Sequence, residues 1–64
     1  MSSFTPVVKR ILRSYNCHPV RSGKGDHEIW HSPITNRHFP VDSKILSRHT
    51  ANAIMKQAGI VHKF

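Results

Sequence analysis

The chain has 64 residues, with ten Lys and Arg against three acids, Asp26, Glu28 and Asp42, and a formal charge of +7. A chain of this length makes one domain at most, spanning residues 1–64, and removes only ~60% of the surface it exposes when unfolded, so its core is thin. The single cysteine, Cys17, excludes an intramolecular disulfide, and no run of ~18 apolar residues is present to span a membrane. With a polar start at Met1 and no apolar stretch of signal-peptide type, the expected compartment is a reducing cytoplasm.

The cationic excess points to a polyanionic partner, because each Lys or Arg placed near a phosphate releases condensed counterions. A merely solubilising basic surface is the plainer alternative. A membrane-surface role is disfavoured, since the cations are spread along the chain and no long helix sets them opposite an apolar face.

The first element is a helix from about Pro6 to Tyr15. Thr5 is a candidate cap, Pro6 suits the first helical position, and Val7, Val8, Ile11, Leu12 and Tyr15 recur at helical spacing. Lys9, Arg10 and Arg13 fall on the opposite side. Asn16 can adopt the left-handed conformation that ends a helix, and His18 to Arg21 reads as a short strand. Gly23, Lys24, Gly25 and Asp26 form a turn, and a second strand runs from His27 to His31, completing a hairpin.

Ser32 to Asn36 makes the next turn, and Arg37 to Val41 a third strand, with Phe39 and Val41 on one face. Pro40 donates no ladder hydrogen bond, which places this strand at a sheet edge or turns its nitrogen outward. A second helix follows, capped by Ser47 or Thr50, with Ala51, Ile54, Met55 and Ala58 on its apolar face. Gly59 then supplies the stop that lets Ile60 fold back on Met55. The expected fold is an α+β sandwich of α-β-β-β-α order: a three-stranded antiparallel sheet with two helices on one face and the other face open. This topology is similar to the double-stranded-RNA-binding domain.

The stretch from Arg21 to Trp30 is the most informative chemically. A glycine turn brings backbone amides and Lys24 close to a phosphate, while the adjoining strand holds the His27 imidazole in one direction. RNA carries its own nucleophile in the 2′-hydroxyl, so an imidazole and a few cations suffice in principle to cleave it, with no cofactor and no metal. Groups of both signs flank His27 in sequence, which leaves open whether it takes or gives the proton.

The run Gly23-Lys24-Gly25-Asp26-His27-Glu28-Ile29-Trp30 resembles the glycine–histidine signature of the HicA toxins. Phe39-Pro40-Val41-Asp42, Lys44 and the segment Arg48 to Ile60 resemble that family's carboxy-terminal helix and its glycine stop. The resemblance covers about Val8 to Phe64. It implies a metal-independent mRNA endonuclease, an essential histidine corresponding to His27, and neutralisation by a HicB-type antitoxin. Partners on this reading are mRNA and the antitoxin, with neither a membrane nor, for the toxin alone, DNA. The chain departs from the family pattern in three places. Asn16-Cys17 replaces a common Gly-aromatic pair, Asp42 stands where many members have histidine, and His49 stands where a glycine precedes the helix threonine.

Arg21, Lys24, Gly25, Lys44 and Arg48 are the candidate RNA contacts, with the amino terminus of the second helix adding partial positive charge. Trp30 is a candidate partner-binding residue if it lies on the open sheet face, where it could stack on a base or anchor the antitoxin; if it packs under the helices instead, Ile29 must point out. His18, His31 and His38 fall roughly side by side in plausible hairpin registers, so three imidazoles on one zinc ion is a further possibility. His27 and His31, ~13 Å apart along a strand, are too distant to share an ion. The alternative to a nuclease is a non-catalytic RNA-binding module using the same basic face.

Overall fold

A computed structural model describes residues 3–64; the polar start at Met1 and Ser2 lies outside them. Helix α1 spans Thr5–Ser14, strands β1, β2 and β3 span His18–Ser22, Glu28–Ser32 and Arg37–Val41, and helix α2 spans Arg48–Ala58. The strands form one antiparallel sheet in the order β1-β2-β3. This is the expected α-β-β-β-α sandwich.

Helix α1 begins differently from the expectation. Phe4 occupies the cap position without a side-chain cap bond. Thr5 is instead the first helical residue, its Oγ1 donating to the Ser43 carbonyl at 3.2 Å and accepting from the Ile45 N–H at 2.8 Å. The Phe4 N–H donates to the Ile45 carbonyl at 2.7 Å, so this end of α1 is stitched to the β3–α2 connection. The hydroxyl does more there than as a cap, because it satisfies buried backbone that would otherwise be orphaned.

Val8 and Leu12 are fully buried, with Ile11 packed beside them. Tyr15 leaves the apolar stripe and is 45% exposed. The helix has ended by then, and Tyr15 at φ −103° no longer follows helical spacing. Asn16 takes φ 67°, and Cys17 turns into the core in place of the tyrosine.

The two hairpins align His18 with His31 and His31 with His38, and a bulge at Val20 shifts the β1 register between Pro19 and Arg21. Both edge strands carry a proline, Pro19 on β1 and Pro40 on β3, which with the bulge blunts the open edges against pairing with another chain. Trp30, Ser32, Phe39 and Val41 are buried beneath the helices, so by alternation Ile29, His31, His38 and Pro40 face the other way. Trp30 is 0% exposed, so of the two placements left open by the sequence it takes the one under the helices, with Ile29 pointing out, and it does not lie on the open face where a partner-binding role was expected.

Ser47 caps α2, its Oγ accepting from the His49 N–H at 3.0 Å. Ala51, Ile54, Met55 and Ala58 are buried, Gly59 closes the helix at φ 77°, and the Ile60 N–H donates to the Met55 carbonyl at 2.9 Å. The β2–β3 turn binds this end of the helix. Ser32 Oγ donates to the Ala58 carbonyl at 2.6 Å and Thr35 Oγ1 to the Gln57 carbonyl at 3.1 Å, satisfying acceptors that a helix terminus leaves unpaired. Ile45, fully buried in the β3–α2 connection, completes the core without belonging to any element.

Candidate active site and nucleic-acid interface

The β1–β2 turn holds His27 by its backbone. The Gly23 N–H donates to the His27 carbonyl at 2.8 Å, and the His27 N–H donates to the Lys24 carbonyl at 3.2 Å. Gly25 adopts φ 62°, a conformation that glycine reaches at no steric cost. Gly23 matters for space: a Cβ there would lie 3.3 Å from both the Cβ and the carbonyl oxygen of His27, and 3.2 Å from Ile29 Cδ1. The second strand begins at Glu28 rather than His27, so the histidine is the last residue of the turn.

The His27 ring is 47% exposed, and its Nδ1 lies 2.9 Å from Oδ1 of Asp42, itself 41% exposed. Asp42 was a departure from the family pattern in sequence and not a site candidate. The hairpin geometry explains the pairing. Glu28 pairs with Val41 at the end of the β2–β3 ladder, and His27 and Asp42 are the next residue on either side. The register is symmetric about the Ile34–Thr35 turn centre, so a correctly read turn would have placed Asp42 opposite His27 from the sequence.

Glu28 turns towards α1. Its Oε1 lies 3.0 Å from Lys9 Nζ and accepts from the Trp30 indole N–H at 3.1 Å, while the Arg13 guanidinium sits 5.2 Å above the Trp30 ring. The hydrogen bond from Lys9, then that from Trp30, holds the Glu28 carboxyl below its ordinary value; the charges of Lys9 and Arg13 act in the same direction and partial burial opposes them. Two of the three acids are therefore occupied, Glu28 by Lys9 and Asp42 by His27.

Lys24 and Gly25 share the turn with His27, and Lys44 follows Asp42 by two residues. Arg21 pairs across the sheet with Ile29, and Arg48 opens α2, whose first turn holds no acid. All four cations are exposed, and among the described residues no ion pair involves them. Their charge is thus available to an external anion.

His18, His31 and His38 do form a row across the sheet, with ring centroids 5.9 and 4.9 Å apart and planes tilted by 60° and 52°. The rings lie tilted against one another along the row. His31 Nε2 is taken up by Asn36 Oδ1 at 3.0 Å, and among the described residues no three His, Cys, Asp or Glu side chains gather in a way that could hold a metal ion. The zinc possibility therefore has no geometric basis in this row.

Fold and site together define a small basic α+β domain with a solvent-facing histidine–carboxylate pair at the end of a glycine turn that carries Lys24. A family model described as the HicA toxin of bacterial toxin-antitoxin systems matches residues 7–60, from the first turn of α1 to the residue after the glycine stop, and the chain belongs to this family of toxins. No curated protein and no solved structure matches it. No helix among the described residues is long and apolar enough to cross a membrane.

Proposed function

We propose that the chain is a metal-independent endoribonuclease that cleaves mRNA in the cytoplasm, arrests translation, and is neutralised by a cognate antitoxin of HicB type. The observation that carries this reading is the His27 ring, half exposed and fixed in a turn whose tip bears Lys24. The 2′-hydroxyl of the substrate attacks its own phosphodiester, His27 transfers the proton, and Lys24, the turn amides and neighbouring cations stabilise charge on the phosphorane. The products are a 2′,3′-cyclic phosphate and a 5′-hydroxyl. Arg21, Lys44 and Arg48 hold flanking phosphates, positioning the strand without reading its bases.

Purified protein incubated with RNA in the presence of a chelator is expected to yield fragments with those two end groups. RNA that is bound but stays intact would instead identify a non-catalytic RNA-binding module. Fragments ending in a 3′-hydroxyl and a 5′-phosphate would contradict attack by the 2′-hydroxyl.

A further inference from the structure

We infer that Asp42 is the positioning residue for His27: its carboxylate accepts the Nδ1–H, fixes that tautomer, and leaves Nε2 as the nitrogen that faces the substrate. The inference rests on the nuclease reading above and adds a residue and a direction to it.

The contact of 2.9 Å between Nδ1 and Oδ1 lies in the range of charge-assisted hydrogen bonds. A carboxylate offers only acceptors, so this bond to a neutral imidazole requires the hydrogen on Nδ1. Nε2 then carries the lone pair and can take a proton from the 2′-hydroxyl. The resulting imidazolium has a hydrogen on both nitrogens and keeps the Asp42 bond, and Nε2 returns its proton to the leaving 5′-oxygen. The proton moves from one substrate oxygen to the other, and the balance closes without a further reactant.

Neither residue is loosely held. Asp42 follows Val41, which is fully buried, and His27 precedes Glu28, which Lys9 and Trp30 anchor from the α1 side. The turn fixes the His27 backbone through Gly23 and Lys24, and Asp42 fixes the ring from across the ladder. Backbone and ring are thus constrained from two elements, which is what a proton-transfer group needs to keep a productive direction.

Electrostatics gives a second, independent argument. Asp42 is one of only three acids in a chain with ten Lys and Arg, and it stands beside the turn that carries Lys24. A carboxylate there repels phosphate, so it weakens RNA binding; orienting His27 accounts for its presence. The two effects have opposite signs in experiment. Removing the charge is expected to leave RNA affinity equal or improved while slowing the chemical step, whereas a purely structural role would weaken both.

The test uses the full chain and a short single-stranded RNA. Binding and single-turnover cleavage are measured for the wild type, Asp42→Asn, Asp42→Ala and Asp42→Glu, and ring nitrogen NMR reports the His27 tautomer. Because Asp42 is 41% exposed, the variants are expected to fold, with circular dichroism and melting as the check. Expected results are an Nδ1–H tautomer in the wild type, a shift towards Nε2–H in Asp42→Ala, and a loss of ~10- to 100-fold in the cleavage rate of Asp42→Asn and Asp42→Ala with undiminished affinity. Partial recovery is expected in Asp42→Glu. An active wild type whose Asp42→Ala variant cleaves at full rate with the tautomer unchanged overturns the role of Asp42 alone. A wild type that cleaves no RNA overturns the nuclease reading and the inference with it.

Discussion

Glu28 stands where α1, the sheet and the turn meet, and one carboxylate oxygen serves both Lys9 and the buried Trp30 indole. Because these partners hold its carboxyl low, Glu28 binds a proton less readily in the folded chain than in the unfolded one. The sign follows from linkage: the stabilisation is present above the unfolded value and is lost as pH falls through the lower, folded one. The Lys9–Glu28 pair is partly exposed to solvent, which screens it, so the effect is ~1 kcal/mol or less. Wild-type melting temperature is therefore expected to fall more steeply below about pH 4.5 than that of Glu28→Gln, whose amide oxygen can still accept from Trp30. Parallel curves would show that the carboxylate contributes nothing through its charge. Trp30 shows how a single residue can leave two placements open. An aromatic beside Ile29 in a half-covered sheet fits either face; in the structure Trp30 pairs with buried Phe39, and Glu28 gives its indole N–H a partner.

Each helix ends at a residue with positive φ, Asn16 after α1 and Gly59 after α2, and both stops were legible because few residue types adopt that conformation. Gly59 has a second constraint that sequence did not disclose. A Cβ there would sit 2.7 Å from Thr35 Cγ2 and 2.9 Å from Ile34 Cγ2, since the β2–β3 turn packs directly on the helix end. Gly59→Ala is expected to lower stability by about 1–3 kcal/mol, combining left-handed strain with overpacking. A denaturant series should show a lower midpoint with an unchanged slope; an unshifted midpoint would contradict both the left-handed strain and the close packing of the turn. The strands were legible from Phe39, Val41 and Pro40, because alternation and a missing donor are local properties. Thr5 and Ile45 were not, because their placement follows from the docking of the β3–α2 connection on α1, a contact between residues 40 apart, and Tyr15 was not, because the helix ends one residue before it. Asp42 lay between these cases: its partner follows from the hairpin register, and the turn read as Ser32 to Asn36 is one residue too long, because Ser32 still pairs with Arg37.

At the scale of the whole molecule, a thin core carries a charge of +7, and the four candidate phosphate contacts are exposed and free of ion pairs among the described residues. If Arg21, Lys24, Lys44 and Arg48 all neutralise phosphates of a single strand, the logarithm of the RNA association constant should fall with the logarithm of salt at a slope of roughly −3, and Lys24→Ala should flatten it by ~0.7. A slope near zero would remove the cations from the interface. Charge can bring RNA to the domain, but it does not by itself cut it, and His27 is the residue on which the nuclease reading depends. Its most direct test is the ratio of single-turnover cleavage rates for wild type and His27→Ala at matched RNA occupancy, with circular dichroism confirming that both are folded. A loss of at least ~10²-fold with RNA affinity retained is the expected result. A folded His27→Ala protein cutting RNA within a few-fold of the wild-type rate would contradict it.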